Sequence, residues 1–269
     1  MKTLTYDFFR SLSADTIKLK RTPILWVALL GGLFITGLVF LIHYFSVEEI
    51  NKPDTNPWIF YCNFGMTFVS ILLAVPFVVL LTSSTLFAEH RSNAWKYLYS
   101  LPLPRGQIYF SKLVLILIIL AITYLIFFLG QLLSGWLLGF LRPEYGFHEY
   151  APQPGKFALL LLHSYLSALG VVGLHYWLSV RWKNFIVPVG IGLLGYIVSI
   201  LFSMTNRYEV GQFFLYSYPS MLGTSLGLDT PIKELFWMGG LTNVEWFSLG
   251  FLVIFAAAGF IEESRKNIK

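Results

Sequence analysis

The sequence predicts an all-α polytopic membrane protein with six transmembrane helices, and three observations carry that prediction. Six long apolar stretches, 23–45, 63–87, 113–141, 157–180, 185–204 and 246–261, contain no Asp, Glu, Lys or Arg. A helix needs about 20 apolar residues to cross the hydrocarbon, and most of the six reach that length. Composition agrees: 56% of residues are hydrophobic and 12% charged, where a soluble domain carries about a quarter charged. The positive charges are also one-sided. An alternating path through six spans places 1–22, 88–112, 181–184 and 262–269 together, and these hold 14 of the 19 Lys/Arg but 5 of the 14 acids. Runs such as Leu113–Tyr124 do not alternate apolar with polar, which excludes strands of a transmembrane barrel.

Basic segments stay in the cytoplasm, so both termini are expected there. A label attached at Asn267 is therefore expected to react only from the cytoplasmic side. Reaction from outside would promote the apolar stretch 213–228 to a seventh span. The pI near 9.2 then reflects topology and contact with anionic membrane lipids, and no nucleic-acid partner is expected. Cys62 is the single cysteine, which excludes an internal disulfide and a multi-cysteine metal cluster.

Two units follow: a cytoplasmic interfacial helix over 1–22 and a six-span transmembrane domain over 23–269. Within 1–22, Leu4, Phe8, Phe9, Leu12 and Leu19 share one arc at helical spacing, opposite Arg10, Lys18 and Arg21. That is the pattern of a helix lying in the membrane surface, although Asp15 intrudes on the apolar arc. The segment is too long and too mixed for the basic head of a cleavable signal. Pro23 suits the first turn of span one, where its missing N–H costs nothing. In the external segment 46–62, Trp58 and Tyr61 are expected to mark the lipid interface. Pro76 predicts a kink in span two.

The cytoplasmic segment 88–112 is the most patterned polar stretch. Trp95, Leu98 and Tyr99 have i, i+3, i+4 spacing and would form one face of a short helix. Pro102 and Pro104 stop that helix, and a second one restarts near Arg105. A short helix between two long ones has the shape of a docking element. The external segment 142–156 is proline-rich, and 181–184 is a tight cytoplasmic hairpin. The long segment 205–245 has an apolar middle broken by Pro219, Gly223 and Gly227. Short helices re-entering the membrane from outside fit it best, provided protein covers their free backbone groups.

Chemical motifs are scarce. There is no G-x-x-x-x-G-K-[ST] phosphate loop and no H-E-x-x-H zinc helix, so no ATP or metal site is expected on this chain. His163 and His175 share span four, but no acid lies inside a span to orient either one. That pattern favours packing roles over catalysis or proton relay. Asn63, Thr67, Gln131 and Ser134 are the notable polar positions inside spans. Helix packing explains them, and lining a translocation path is the functional alternative.

Two segments carry a family resemblance: Ile17-Lys-Leu-Lys-Arg-Thr-Pro-Ile-Leu-Trp26, and Asn93-Ala-Trp-Lys-Tyr-Leu-Tyr-Ser-Leu-Pro-Leu-Pro-Arg105 with Ile108-Tyr-Phe-Ser-Lys112. They resemble type-2 ABC exporter permeases, especially those of lantibiotic-immunity transporters. The resemblance implies that a separate ABC ATPase, carrying ATP and Mg, docks on the short helix at 89–100. Glu89, Arg91, Trp95, Lys96, Tyr97, Leu98 and Arg105 would make the contact. It further implies pairing with a second copy or a sister permease, residence in a bacterial inner membrane, and export of an antimicrobial peptide or another amphipathic substrate. The 142–156 segment is longer and richer in proline than in that family. An intramembrane lipid-modifying enzyme or a non-transporting scaffold subunit is the alternative, but no catalytic residues converge at one depth.

Overall fold

The computed structural model describes residues 24–45, 56–91, 104–205, 208–225, 228 and 240–265, with Ser13 and Thr16. Among these residues, six helices are long and apolar enough to cross a membrane. They are α1 (Ile24–Phe45), α2 (Pro57–Arg91), α3 (Arg105–Leu141), α4 (Pro154–Arg181), α5 (Ile186–Met204) and, after two short helices, α8 (Asn243–Arg265). The protein is an all-α polytopic membrane protein. The expected interfacial anchors Phe8, Phe9 and Leu12 lie outside the described residues.

Several helices overrun their apolar stretches. Span two begins at Pro57 rather than 63, because Asn56 caps it: its side-chain oxygen accepts from the Trp58 N–H at 2.9 Å, with Pro57 in the first turn. Span three begins at Arg105, directly after Pro104. Backbone hydrogen bonds continue a helix past the point where hydrocarbon demands apolar side chains, so charge marks the membrane edge and not the helix end. Around Pro76 the chain winds as a π-helix over Val69–Phe77. Proline removes one ladder donor, and widening the helix is one way to accommodate it.

Neighbours in sequence run antiparallel, so α1, α3 and α5 rise from one end of the bundle while α2, α4 and α8 return to it. The end bearing Arg91, Arg105, Arg181 and Arg265 is the basic end. Two parallel pairs result, α1 with α3 and α4 with α8, and α2 sits among the others. Helix α4 is the most enclosed span, whereas α1 and α5 carry exposed apolar stripes including Trp26, Leu30, Phe34, Leu194 and Ile197. Such stripes suit contact with lipid.

Trp58 and Tyr61 do not face lipid headgroups. Both are buried, and the Trp58 indole donates to the Phe147 carbonyl at 3.0 Å. The turn after α3 folds over them, so two aromatic residues that read as interface markers instead pack the bundle. The same turn closes α1. Arg142 donates to the Tyr44 carbonyl at 3.0 Å and the Tyr145 hydroxyl to the His43 carbonyl at 2.8 Å. These are last-turn carbonyls with no partner inside their own helix. Burial pushes the Tyr145 phenol up, with Arg142 opposing.

Between α5 and α8, the described residues form α6 (Tyr208–Gly211), a 3-10 turn (Leu215–Ser217) and α7 (Tyr218–Ser225). Leu215, Tyr216, Tyr218 and Leu222 are buried, and α7 packs on α4 and on the π-helical part of α2. These described residues pack into the bundle.

Candidate coupling face and buried polar contacts

The two helices that flank 92–103 end and begin at the basic end, at Arg91 and Arg105. Trp95, Lys96, Tyr97 and Leu98 lie outside the described residues, while Glu89, Arg91 and Arg105 are placed. Glu89 forms an ion pair with Lys112 of α3, whose side chain is only 2% exposed. A lysine beside an apolar stretch suits the membrane interface, whereas here the side chain is buried between α2 and α3. One residue on from Glu89, the His90 ring donates from Nε2 to the Ser179 carbonyl of α4 at 2.9 Å. Arg105 donates to the Ser264 carbonyl of α8 at 3.2 Å. Both acceptors are last-turn carbonyls, which attract cationic or donor side chains because the helix leaves them unpaired. Arg181 and Trp177 of α4 both donate to Glu262 Oε2 of α8, at 3.3 and 2.9 Å. Residues flanking 92–103 are thus tied to α3, α4 and α8.

Three of the four polar positions singled out inside spans two and three tie their helix to another part of the chain. Gln131 is buried and donates to the Tyr61 carbonyl at 3.1 Å, and Ser134 shares a 2.7 Å hydrogen bond with the Tyr61 hydroxyl. Asn63 Oδ1 accepts from the Leu228 N–H at 2.8 Å, and Lys156 donates to the carbonyl of the same residue. One residue of the segment between α5 and α8 is therefore held through both backbone groups by side chains of α2 and α4. Thr67 is exposed and donates to the Asn63 carbonyl one turn back.

A buried acid does reach a span-four histidine, contrary to the sequence expectation. Glu245 is fully buried and its Oε1 lies 2.6 Å from His163 Nδ1. Its other oxygen accepts from the Thr242 N–H at 2.7 Å and from the Thr242 hydroxyl at 2.9 Å. Thr242-x-x-Glu245 is a capping box, in which the N3 glutamate reaches back to the N-cap N–H. That signature was readable in the sequence, but α8 starts before the apolar stretch and so carries Glu245 inward with it. His175 meets the Tyr216 hydroxyl at 2.9 Å instead, so the two histidines have separate partners.

This arrangement is six spans, short helices packed on the bundle between the last two, and a basic end cross-tied by residues that flank 92–103. The family described as ABC-2 family transporter protein matches residues 11–199. The chain belongs to that family. No curated protein matches it. The match makes this ABC-2 chain a permease subunit of an ABC transporter, a family that works with an ATP-binding subunit. It runs through α1–α4 and into α5 and leaves out α8, so the His163–Glu245 and Arg181–Glu262 contacts join the matched region to a helix beyond it.

Proposed function

We propose that this chain is the membrane half of an ATP-driven exporter, docking a separate ATPase on its basic end through 89–100. The family match is the observation that carries the reading. Two further facts support it: the helices flanking 92–103 stop on the same side, and residues beside that stretch are bonded to three other spans. A push on the docked segment thereby reaches α3, α4 and α8. ATP and Mg belong to the partner. The permease itself pairs with an identical copy or a sister subunit, with both termini in the cytoplasm of a bacterial cell. Its substrate is an antimicrobial peptide or another amphipathic molecule, a reading that rests on the resemblance to lantibiotic-immunity permeases.

The direct test is to co-express the chain with a Walker-motif ATPase encoded beside it and to purify by a tag on the permease. The ATPase is expected to co-elute and to hydrolyse ATP faster with the permease than without it. Recovery of the permease alone, with no change in hydrolysis, would overturn the reading.

A further inference from the structure

We infer that α4 and α8 form a single rigid strut through the membrane, pinned at one end by Glu245 and at the other by Glu262. The inference rests on helix geometry and not on the ATPase reading. The two helices run parallel, and their contacts keep nearly one register from end to end: His163 with Glu245, Gly170 with Ser248, Gly173 with Leu252, Arg181 with Glu262.

At the far end, three donors converge on the Glu245 carboxylate: the Thr242 N–H, the Thr242 hydroxyl and His163. Two belong to the turn that starts α8 and one to α4, so a single buried side chain both caps its own helix and binds the neighbour. One turn further along α8, Ser248 Oγ accepts from the Gly170 N–H at 2.8 Å and donates to the Ser167 carbonyl at 2.9 Å. These are backbone groups of α4, so a side chain of α8 takes part in the hydrogen bonding of the helix beside it. Contact there is close: a Cβ on Gly173 would lie 2.8 Å from Leu252 Cα, and one on Gly170 3.0 Å from the Ser248 carbonyl oxygen. Small residues permit this approach, which is how membrane helices pack without a hydrophobic drive. At the basic end, Glu262 Oε2 gathers Trp177 and Arg181, and Trp177 stacks on Phe255 with ring centroids 5.8 Å apart.

Glu245 and Glu262 are separated by about 25 Å along α8 at 1.5 Å per residue. Bonded at both ends and interlocked between them, the pair moves as one body, and a displacement at the basic end arrives at the far end.

A thermal double-mutant cycle on the full chain in lipid nanodiscs tests this. Sites that far apart normally add. In a strut whose two pins hold each other in place, losing one loosens the contacts between them and takes most of the other with it. Glu245→Gln and Glu262→Gln are each expected to lower the unfolding midpoint, and the double variant is expected to melt with the worse single variant. Shifts that sum would overturn the inference, as would a wild-type midpoint in either single variant. If Glu245→Gln does not fold, His163→Gln weakens the same pin and reads the same two outcomes. Spin labels at the exposed Leu162 and Ile254, in a Cys62→Ser chain diluted with an excess of unlabelled chain so that distances between copies do not register, give a second reading. One narrow distance is expected, and a second population would overturn the strut.

Discussion

Replacing Trp95 with alanine is expected to strip the ATPase from the permease. A central aromatic anchor typically contributes 2 kcal/mol or more to an interface, so affinity should fall by roughly thirtyfold. The choice of Trp95 comes from sequence: it shares a helical face with Leu98 and Tyr99, and Pro102 and Pro104 stop any helix there from running on. The structure adds what flanks it. Arg91 and Arg105 lie at the same end of the bundle, and Glu89 and His90 fasten the near side to α3 and α4. Any steering by Lys96 and Arg91 is expected to be the smaller effect, because exposed surface charges contribute under about 1 kcal/mol each. Copurification with wild-type and Trp95→Ala permease measures the effect, with substrate-stimulated ATP hydrolysis as the second readout. Equal recovery and equal hydrolysis would move the contact to 1–22 or to the 181–184 hairpin.

The spans are legible in the sequence because a bilayer makes a demand that no packing arrangement can waive: about 20 apolar residues for each crossing. The same rule hides what lies at their edges. Glu245 falls one residue before an apolar stretch, so counting charges places it outside, whereas the capping box starts α8 three residues earlier and turns the carboxylate toward His163. Lys112 falls one residue before span three and reads as an interface residue, yet α3 begins seven residues earlier and α2 covers it. Trp58 is misread for a related reason. Aromatic residues at a span edge suit the headgroup layer, and only the fold of the 142–153 turn shows that protein covers this one. Gln131 and Asn63 were legible as polar residues inside spans, but their partners, the Tyr61 carbonyl and the Leu228 N–H, come from elsewhere in the chain. Helix positions are local information and helix partners are not.

The largest loss of stability is expected from Lys112→Met. The ammonium is almost fully buried, and the Glu89 side chain facing it is 18% exposed. Removing one member of a buried ion pair strands the other charge, which costs about 3–5 kcal/mol. Glu89 keeps some contact with water, so the lower end of that range applies. The physical cause is separable from simple packing. Lys112→Met keeps an unbranched apolar stem of similar length, so a loss caused by packing would be small. Glu89→Gln in the same chain removes the stranded charge, and replacing both members of a buried pair by uncharged groups is often close to neutral. The double variant is therefore expected to recover most of the lost unfolding temperature, measured on the full chain in nanodiscs. A double variant as unstable as Lys112→Met alone would place the loss in packing between α2 and α3. The double variant also isolates the role of the pair in coupling. With stability restored, the tie between the 92–103 flank and span three has lost its charge, so ATP hydrolysis by the bound partner should respond less to substrate. Hydrolysis fully responsive to substrate in that variant would make the pair a fastening of the bundle and leave transmission to His90 and Arg105.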